Sequence, residues 1–286
     1  ETILQYVLER ANLAWEDMQS YVRHGDGRRN FYALAADWKI GPATTLELDG
    51  NYQTSAQRSA SGYQLLGGQA LPQNPDPTLM LGFQPWQQPV SIRATNASAR
   101  LIHAFNADWT LRLAAGRSRS VIDDNVAFAY GCWYVAACWS GSPPNYFAPD
   151  GSYDIYDYRN PDDTRVGDNA RATLEGRFHT GSVAHAISVG AVGFHRSIDR
   201  HRNVNDYVGS WNVNAGEPPV FAPSTKTLGP KVRRLDSWQR SAFVMDRLTL
   251  TDHWQLLLGA QFARLHERAR NKHCVLERES RLRKTL

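Results

Sequence analysis

Long hydrophobic runs are missing from this chain, and cysteine and methionine are scarce. Among 286 residues there are 3 Cys and 3 Met. So few cysteines cannot staple a chain of this length, which excludes a disulfide-built miniprotein. No stretch approaches the roughly 18–20 uncharged apolar residues that a spanning helix needs, and mean hydropathy is −0.49. A helical membrane protein is excluded. A dominant charge is missing too: 32 Lys+Arg against 28 Asp+Glu leave +4. The pI of 9.0 comes from a small excess spread along the chain. The densest basic stretch, Arg264–Lys284, is interrupted by Glu267, Glu277 and Glu279. A nucleic-acid partner would call for a one-sided basic stripe on a recognisable module, so none is expected. Aromatics are plentiful, with 9 Trp, 12 Tyr and 10 Phe, which together with the low net charge excludes a disordered chain.

The dominant periodicity is two. In Tyr32–Ile40, Tyr32, Leu34, Ala36, Trp38 and Ile40 share a face, opposite Ala33, Ala35, Asp37 and Lys39. Leu46, Leu48, Gly50 and Tyr52 alternate with Glu47, Asp49, Asn51 and Gln53. Ala172, Leu174, Gly176 and Phe178 alternate with Arg171, Thr173, Glu175 and Arg177. In Trp254–Phe262, Trp254, Leu256, Leu258, Ala260 and Phe262 likewise share one face. Successive strand side chains point to opposite sides, so each segment reads as a strand with one apolar and one mostly polar face. The opening stretch is ambiguous, because Leu4, Leu8, Ala11 and Trp15 also fit a helical stripe. Continuity with the strand-like segments after it assigns it as strand.

Connections alternate in length. Short turns fall at Gly41–Ala43, Asn106–Asp108, His179–Ser182 and Thr251–His253. Long segments fall at Gln57–Pro89, Gly131–Asp163 and Asn203–Arg233, with a modest one at Arg23–Arg29. Compact soluble domains mostly use connections of about 4–6 residues. Trp109–Phe128, Val183–Arg202 and Ala170–His179 with its upstream extension predict strands of roughly 10–20 residues, longer than the usual soluble strand. Long strands, one apolar face, tight turns at one end and long loops at the other are the pattern of an outer-membrane β-barrel. Only helices and closed barrels satisfy every backbone group inside lipid. Trp38, Trp109 and Trp254 each sit beside a short turn, where an inner aromatic girdle would lie. Alternation alone fits a large soluble β-sandwich equally well, and the one-sided loop lengths favour the barrel.

Several stretches resemble the TonB-dependent outer-membrane siderophore receptors, in particular the ferrichrome and ferrioxamine branch. Asn30–Thr45 (NFYALAADWKIGPATT) resembles a strand ending in Trp before a periplasmic turn. Ser61–Pro72 (SGYQLLGGQALP) resembles the loop after the next strand. Ala127–Cys138 (AFAYGCWYVAAC) resembles a loop in which an aromatic-X-Tyr-Gly step precedes a cysteine pair. Ser241–Gln261 (SAFVMDRLTLTDHWQLLLGAQ) resembles a recurrent strand pair. The resemblance implies an all-β fold: an antiparallel transmembrane β-barrel with short periplasmic turns and long extracellular loops. The family barrel has about 22 strands around an N-terminal plug. Residues 1–286 would supply about nine or ten of those strands, without the plug and the last strands. Glu1 is not Met and both ends read as the middle of an element, so a fragment is expected.

The resemblance further implies binding of a ferric siderophore at the extracellular loops and its passage into the periplasm, driven by the TonB–ExbB–ExbD complex through the N-terminal region of the parent. Outer-membrane lipid is the surrounding partner. A passive porin-type barrel and a soluble extracellular carbohydrate-binding β-sandwich are the alternatives. The chelator satisfies the iron, so no metal ligand or resident cofactor is expected, only aromatic walls and a few polar contacts. By resemblance Tyr63, Phe128 and Tyr130 are ligand-contacting candidates, with Tyr207 in the loop Asn205–Trp211 as a further one. Each of the four could instead simply pack one loop on another.

Cys132 and Cys138, in a predicted extracellular loop, are expected to form a disulfide, since thiols oxidise outside the cell. Cys274 has no counterpart in the family. His195, Asp199 and His201 share a strand face and are expected to line a polar lumen. Asp123, Asp124, Asp154, Asp157, Asp162 and Asp163 match no calcium-loop spacing and read as a solvated loop. No phosphate cradle, nucleophile elbow or H-E-x-x-H is present, so no enzymatic activity is expected.

Overall fold

The computed structural model describes residues 7–139, 145–270 and 275–285. Eleven strands account for most of it: β1 (Val7–Met18), β2 (Gly27–Lys39), β3 (Thr44–Gln57), β4 (Val90–Ala104), β5 (Trp109–Ala129), β6 (Ser152–Thr180), β7 (Val183–Arg200), β8 (Val204–Asn212), β9 (Val232–Thr249), β10 (Gln255–Arg270) and β11 (Val275–Thr285). Every pairing is antiparallel. The path β1-β2-β3-β4-β5-β6-β7-β9-β10-β11 follows chain order, and β8 sits off it, paired with β6. Among the described residues β1 and β11 each have a single partner, so the sheet is not closed. The ambiguous opening stretch is strand: β1 pairs with β2 from Val7↔Trp38 to Met18↔Gly27. Leu4 and Cys274 lie outside the described residues.

The register carries the alternation across the sheet, because residues directly opposite one another share a face. One row runs Trp38–Leu46–Leu101–Leu113–Ala172–Ala191–Ala242–Phe262, from β2 to β10. The adjacent row runs Asp37–Glu47–Arg100–Ala114–Arg171–Val192–Ser241–Ala263 and belongs to the opposite face. The first face is a band of Leu, Val, Ala and Phe left open to its surroundings; Leu34, for example, is 70% exposed. The second face is polar and cross-linked, with Arg100 bound to Glu47 and Arg112 to Glu175 (3.1 Å).

At the turn end the apolar face is edged by rings. The Trp109 ring lies flat over Gly176, where an added Cβ would come within 2.4 Å of it, so only glycine leaves room. Phe178 stacks on His185 at 4.6 Å. Gly181, in the β6–β7 turn, takes a φ of 62° that suits glycine.

The loop end departs from the sequence expectation in two of its long connections. Gly131–Asp163 is not one long loop: β6 starts at Ser152 and runs for 29 residues. β8 forms inside the predicted Asn203–Arg233 loop and pairs with the upper part of β6. A bulge marks the changeover. Ile122 pairs with Asp163, whereas Asp124 pairs with Asn160, so β6 carries one more residue than β5 across this step. A one-residue slip reverses which side chains face which way. Below the bulge the odd-numbered residues of β6 lie on the polar face; above it, the even-numbered ones do.

The buried core sits entirely at this end. Leu79, Leu81, Ala127, Ala129, Phe147, Tyr153 and Ile155 are packed together, and Tyr63, Trp86, Trp211 and Phe221 close the margin. The connection 58–89 and the segment after β8 fold onto the odd-numbered side of the β5–β6 extension. Two fully buried glutamines hold them there. The Gln84 amide donates to the Pro219 carbonyl (3.0 Å) and its oxygen accepts from Phe221 N–H (2.8 Å). The Gln87 oxygen accepts from Ala127 N–H (3.1 Å).

Candidate functional site

Opposite that core, the even-numbered residues of the extension project a wall of rings. Phe128 stacks on Tyr156 (centroids 5.7 Å) and meets Tyr158 (6.3 Å) and Tyr130 (6.1 Å) edge-on. Tyr156 meets Tyr207 edge-on at 6.3 Å, and Tyr207 stacks on Tyr134 at 4.1 Å. The wall is continuous with the polar face of the sheet, because β5 keeps its alternation from Arg112 up to Phe128. Burial raises the hydroxyl pKa of both Tyr156 and Tyr158, so the rings stay neutral at physiological pH.

A buried carboxylate sets part of this wall. Asp154 is fully buried and accepts from the N–H groups of Trp133 (2.5 Å) and Tyr134 (3.2 Å). It also accepts from the Ser210 hydroxyl (2.7 Å), and that hydroxyl lies 3.0 Å from the Tyr207 hydroxyl. One side chain therefore positions both members of the Tyr134–Tyr207 stack. Burial outweighs these three donors and raises its pKa. Cys132 and Cys138 form a disulfide with Cα atoms 5.1 Å apart, closing the loop that carries Tyr134. Among the described residues one group of metal-ligating atoms converges, Cys132, Cys138 and Asp154, and its sulfurs are consumed by that bond.

Of the residues picked from sequence, Phe128, Tyr130 and Tyr207 come together in the wall. Tyr207 does so from strand β8 rather than from a loop. Tyr63 does not join them. It packs against the core on the other side of the extension, and its hydroxyl donates to the Asp76 carbonyl (2.9 Å). Burial first, and the Asp76 charge second, raise its pKa. Tyr134, Tyr156 and Tyr158 were missed. Tyr156-Asp157-Tyr158 carries a two-residue alternation that could have revealed them, but the Gly-, Pro-, Asn- and Ser-rich segment Gly131–Asp163 around it reads as loop. Three of its aspartates are not solvated: Asp154, Asp157 and Asp163 are buried, while Asp162 is half-exposed. Asp157 accepts from Ser224 N–H (3.0 Å), and Asp163 takes two bonds from Arg165 (3.1 and 3.3 Å).

The histidines do not line the lumen together. His195 lies on the face of the apolar band, in register with Trp238, rather than on the polar face. It stacks on Trp238 at 4.0 Å, between Asp168 (3.5 Å) and Asp236 (3.4 Å). Above the band both faces of the sheet are polar, so polarity alone does not tell inside from outside there. His201 lies beyond β7 and bonds the Gly229 carbonyl (2.9 Å).

Beside the wall is a cleft of ≈ 940 Å³, lined by Arg200–Asn205, Thr225–Gly229 and Arg234. Arg200, Arg202 and Arg234 line it without an ion-pair partner among the described residues, while Lys226 is paired with Asp206 (2.5 Å). Tyr158 joins wall and cleft, since it shares a hydrogen bond with the Asn203 side chain and feels the charge of Arg200. The combined surface offers flat rings on one side and guanidinium groups on the other.

Residues 22–274 match the family model described as "TonB dependent receptor-like, beta-barrel". The chain belongs to that family. Barrels of this family lie in the outer membrane of Gram-negative bacteria. The receptor chain is 24% identical over 273 residues to the metal-pseudopaline receptor CntO of Pseudomonas aeruginosa, covering 91% of this chain and 34% of that protein. Its fold matches BauA, the ferric preacinetobactin receptor of Acinetobacter baumannii, with a TM-score of 0.72 at 17% identity, covering 97% of this chain and 40% of that one. It also matches FpvA of P. aeruginosa in complex with a ferric pyoverdine, with a TM-score of 0.74 at 16% identity, covering 98% and 35%. The receptor chain thus spans about a third of the length of the curated relative it matches.

Proposed function

We propose that the parent receptor binds an acidic ferric siderophore, or a related metal chelate, on the aromatic wall and in the cationic cleft, and passes it to the periplasm under TonB control. The observation that carries this reading is the junction at Tyr158, where stacked rings meet unpaired guanidinium groups. Rings bury the flat faces of a chelate, and arginine forks hold its carboxylate or phenolate oxygens. The relatives named above, which receive metal–pseudopaline, ferric preacinetobactin and ferric pyoverdine, support a chelate as cargo. The apolar band would face the lipid and the polar face the lumen. The work is binding and gated passage, with no bond made or broken in the cargo. The family match favours this over a passive porin or a soluble carbohydrate-binding sandwich.

The test is a titration of the intact receptor in outer-membrane vesicles with iron-labelled chelates of graded negative charge. Saturable binding that strengthens with chelate charge and weakens at least tenfold in Arg200→Ala plus Arg202→Ala is expected, from the loss of charge-assisted contacts. Charge-independent, unsaturable uptake would point to a passive pore instead.

A further inference from the structure

One part of the wall does not suit an anion. Directly below the rings, Asp124 of β5 stands opposite Asn160 of β6 on the same face. Asp124 is half-buried, yet it has no hydrogen-bond or ion-pair partner among the described residues. Burial without a compensating donor raises its pKa, the signature of a carboxylate lacking a partner. Asn160 is 6% exposed, and its Oδ1 is buried with no partner. Buried acceptors in native proteins are almost always satisfied, so an orphan one calls for a missing donor. Tyr158 stands within reach of the Asp124 charge on one side and of the Arg200 charge on the other. Above it on the same face, Phe128 pairs with Tyr156 and meets Tyr158 edge-on.

We infer that the ligand is zwitterionic and that its ammonium group docks between Asp124 and Asn160, beneath the Phe128–Tyr158 rings, while its acidic groups occupy the Arg200 cleft. An ammonium supplies the donors that Asn160 Oδ1 lacks, the charge that Asp124 lacks, and a cation for the ring faces. A purely anionic chelate would set its charge against Asp124. The neighbouring carboxylates are already engaged. Asp123 is held by Arg93 (3.0 Å), Asp162 by Lys231 (2.7 Å) and Asp163 by Arg165 (3.1 Å), which leaves Asp124 as the available charge. This inference rests on the function proposed above and adds a class of ligand to it.

Matched pairs of ferric chelates test it: a hydroxamate and a catecholate, each with a pendant primary ammonium and each also with that nitrogen acetylated. They are titrated onto the intact receptor in outer-membrane vesicles. The ammonium forms are expected to bind about tenfold more tightly than their acetylated partners, the size of one charge-assisted contact. Asp124→Asn should abolish that difference while leaving the acetylated forms unchanged. Asn160→Ala should reduce it severalfold and serves as the second variant if Asp124→Asn does not fold. Equal binding of both members of each pair, or an equal loss for both in Asp124→Asn, overturns the zwitterion and leaves chelate binding standing. Failure of every chelate to bind overturns both.

Discussion

The wall of the sheet and the cap at its loop end are built from the same strands by opposite means. The wall has no core. Its apolar side chains point outward in a single layer, and its polar ones cross-link on the other side. Its order comes from the backbone ladder, which cannot slip without turning every side chain to the wrong face. The cap stands on only β5, β6 and β8, yet it holds the buried hydrophobic cluster and the buried polar staples at Asp154, Gln84 and Gln87. The wall is specified by periodicity, which is local and repetitive. The cap is specified by particular contacts between residues far apart in sequence, such as Gln84 with Phe221. A surface that must recognise one ligand needs the second kind of order, and the candidate site is found there.

If the two regions are independent in this way, they can be damaged separately. The largest effect is expected from Tyr153→Ala, at a fully buried position in the cap. Removing a buried aromatic costs about 3–5 kcal/mol. The loops should become protease-sensitive while the barrel keeps its heat-modifiable migration on gels; collapse of both together would show that cap and wall fold as one unit. Next come paired charges on one strand of the wall. Leu101→Arg on the apolar face should cost up to about 2–4 kcal/mol in urea titrations in bilayers, the upper range for a cation on a lipid face. Ser98→Arg on the polar face, opposite Asp49, should stay within about 0.5 kcal/mol. Equal costs would remove the distinction between the faces.

Opening the Cys132–Cys138 bridge ranks third. A loop this short is worth about 2–3 kcal/mol in the chain-entropy picture. Reduction should loosen Tyr134 and weaken chelate affinity without altering barrel stability. The smallest effect is acid sensitivity of the Thr225–Lys231 edge of the cap. Lys226 holds the pKa of Asp206 down, and Lys231 holds that of Asp162 down. A lowered folded pKa gives stability that is complete above the ordinary carboxylate value near 3.8 and is lost as pH falls further, through the folded value. A spin label at Thr225 should therefore gain mobility only below that value, with no change between neutral pH and 5. Mobility rising already near pH 6 would assign the edge to other groups.

The wall was legible in the sequence almost strand by strand, because alternation and turn placement are properties of neighbouring residues. Trp38, Trp109 and Trp254 stand beside short connections for the same reason. The cap was legible only in outline. Ser152–Asp163 was assigned to a loop with the rest of Gly131–Asp163 for its Gly, Pro, Asn and Ser content, and nothing near its carboxylates in sequence announced their partners, Trp133 N–H, Ser210 and Ser224 N–H. Three of the four ring candidates came together, and Tyr63 did not, since no local pattern says which side of a strand a distant loop will cover. Four of the six rings of that site, Tyr134, Tyr156, Tyr158 and Tyr207, lay in the stretches read as irregular.

The extra residue that β6 carries at the bulge opposite Asp123 has a consequence for how such a receptor tolerates loss of a residue. Delete Pro161, and Asp162 alone stands opposite Asp123, Asn160 stays opposite Asp124, and Tyr158 and Tyr156 stay opposite Val126 and Phe128. The rings keep facing inward, because the bulge absorbs the loss. The same lost codon in an unbulged stretch of the sheet would turn every side chain beyond it to the other face, so the foot of the aromatic lining is where this barrel can shorten without changing what it presents to a ligand.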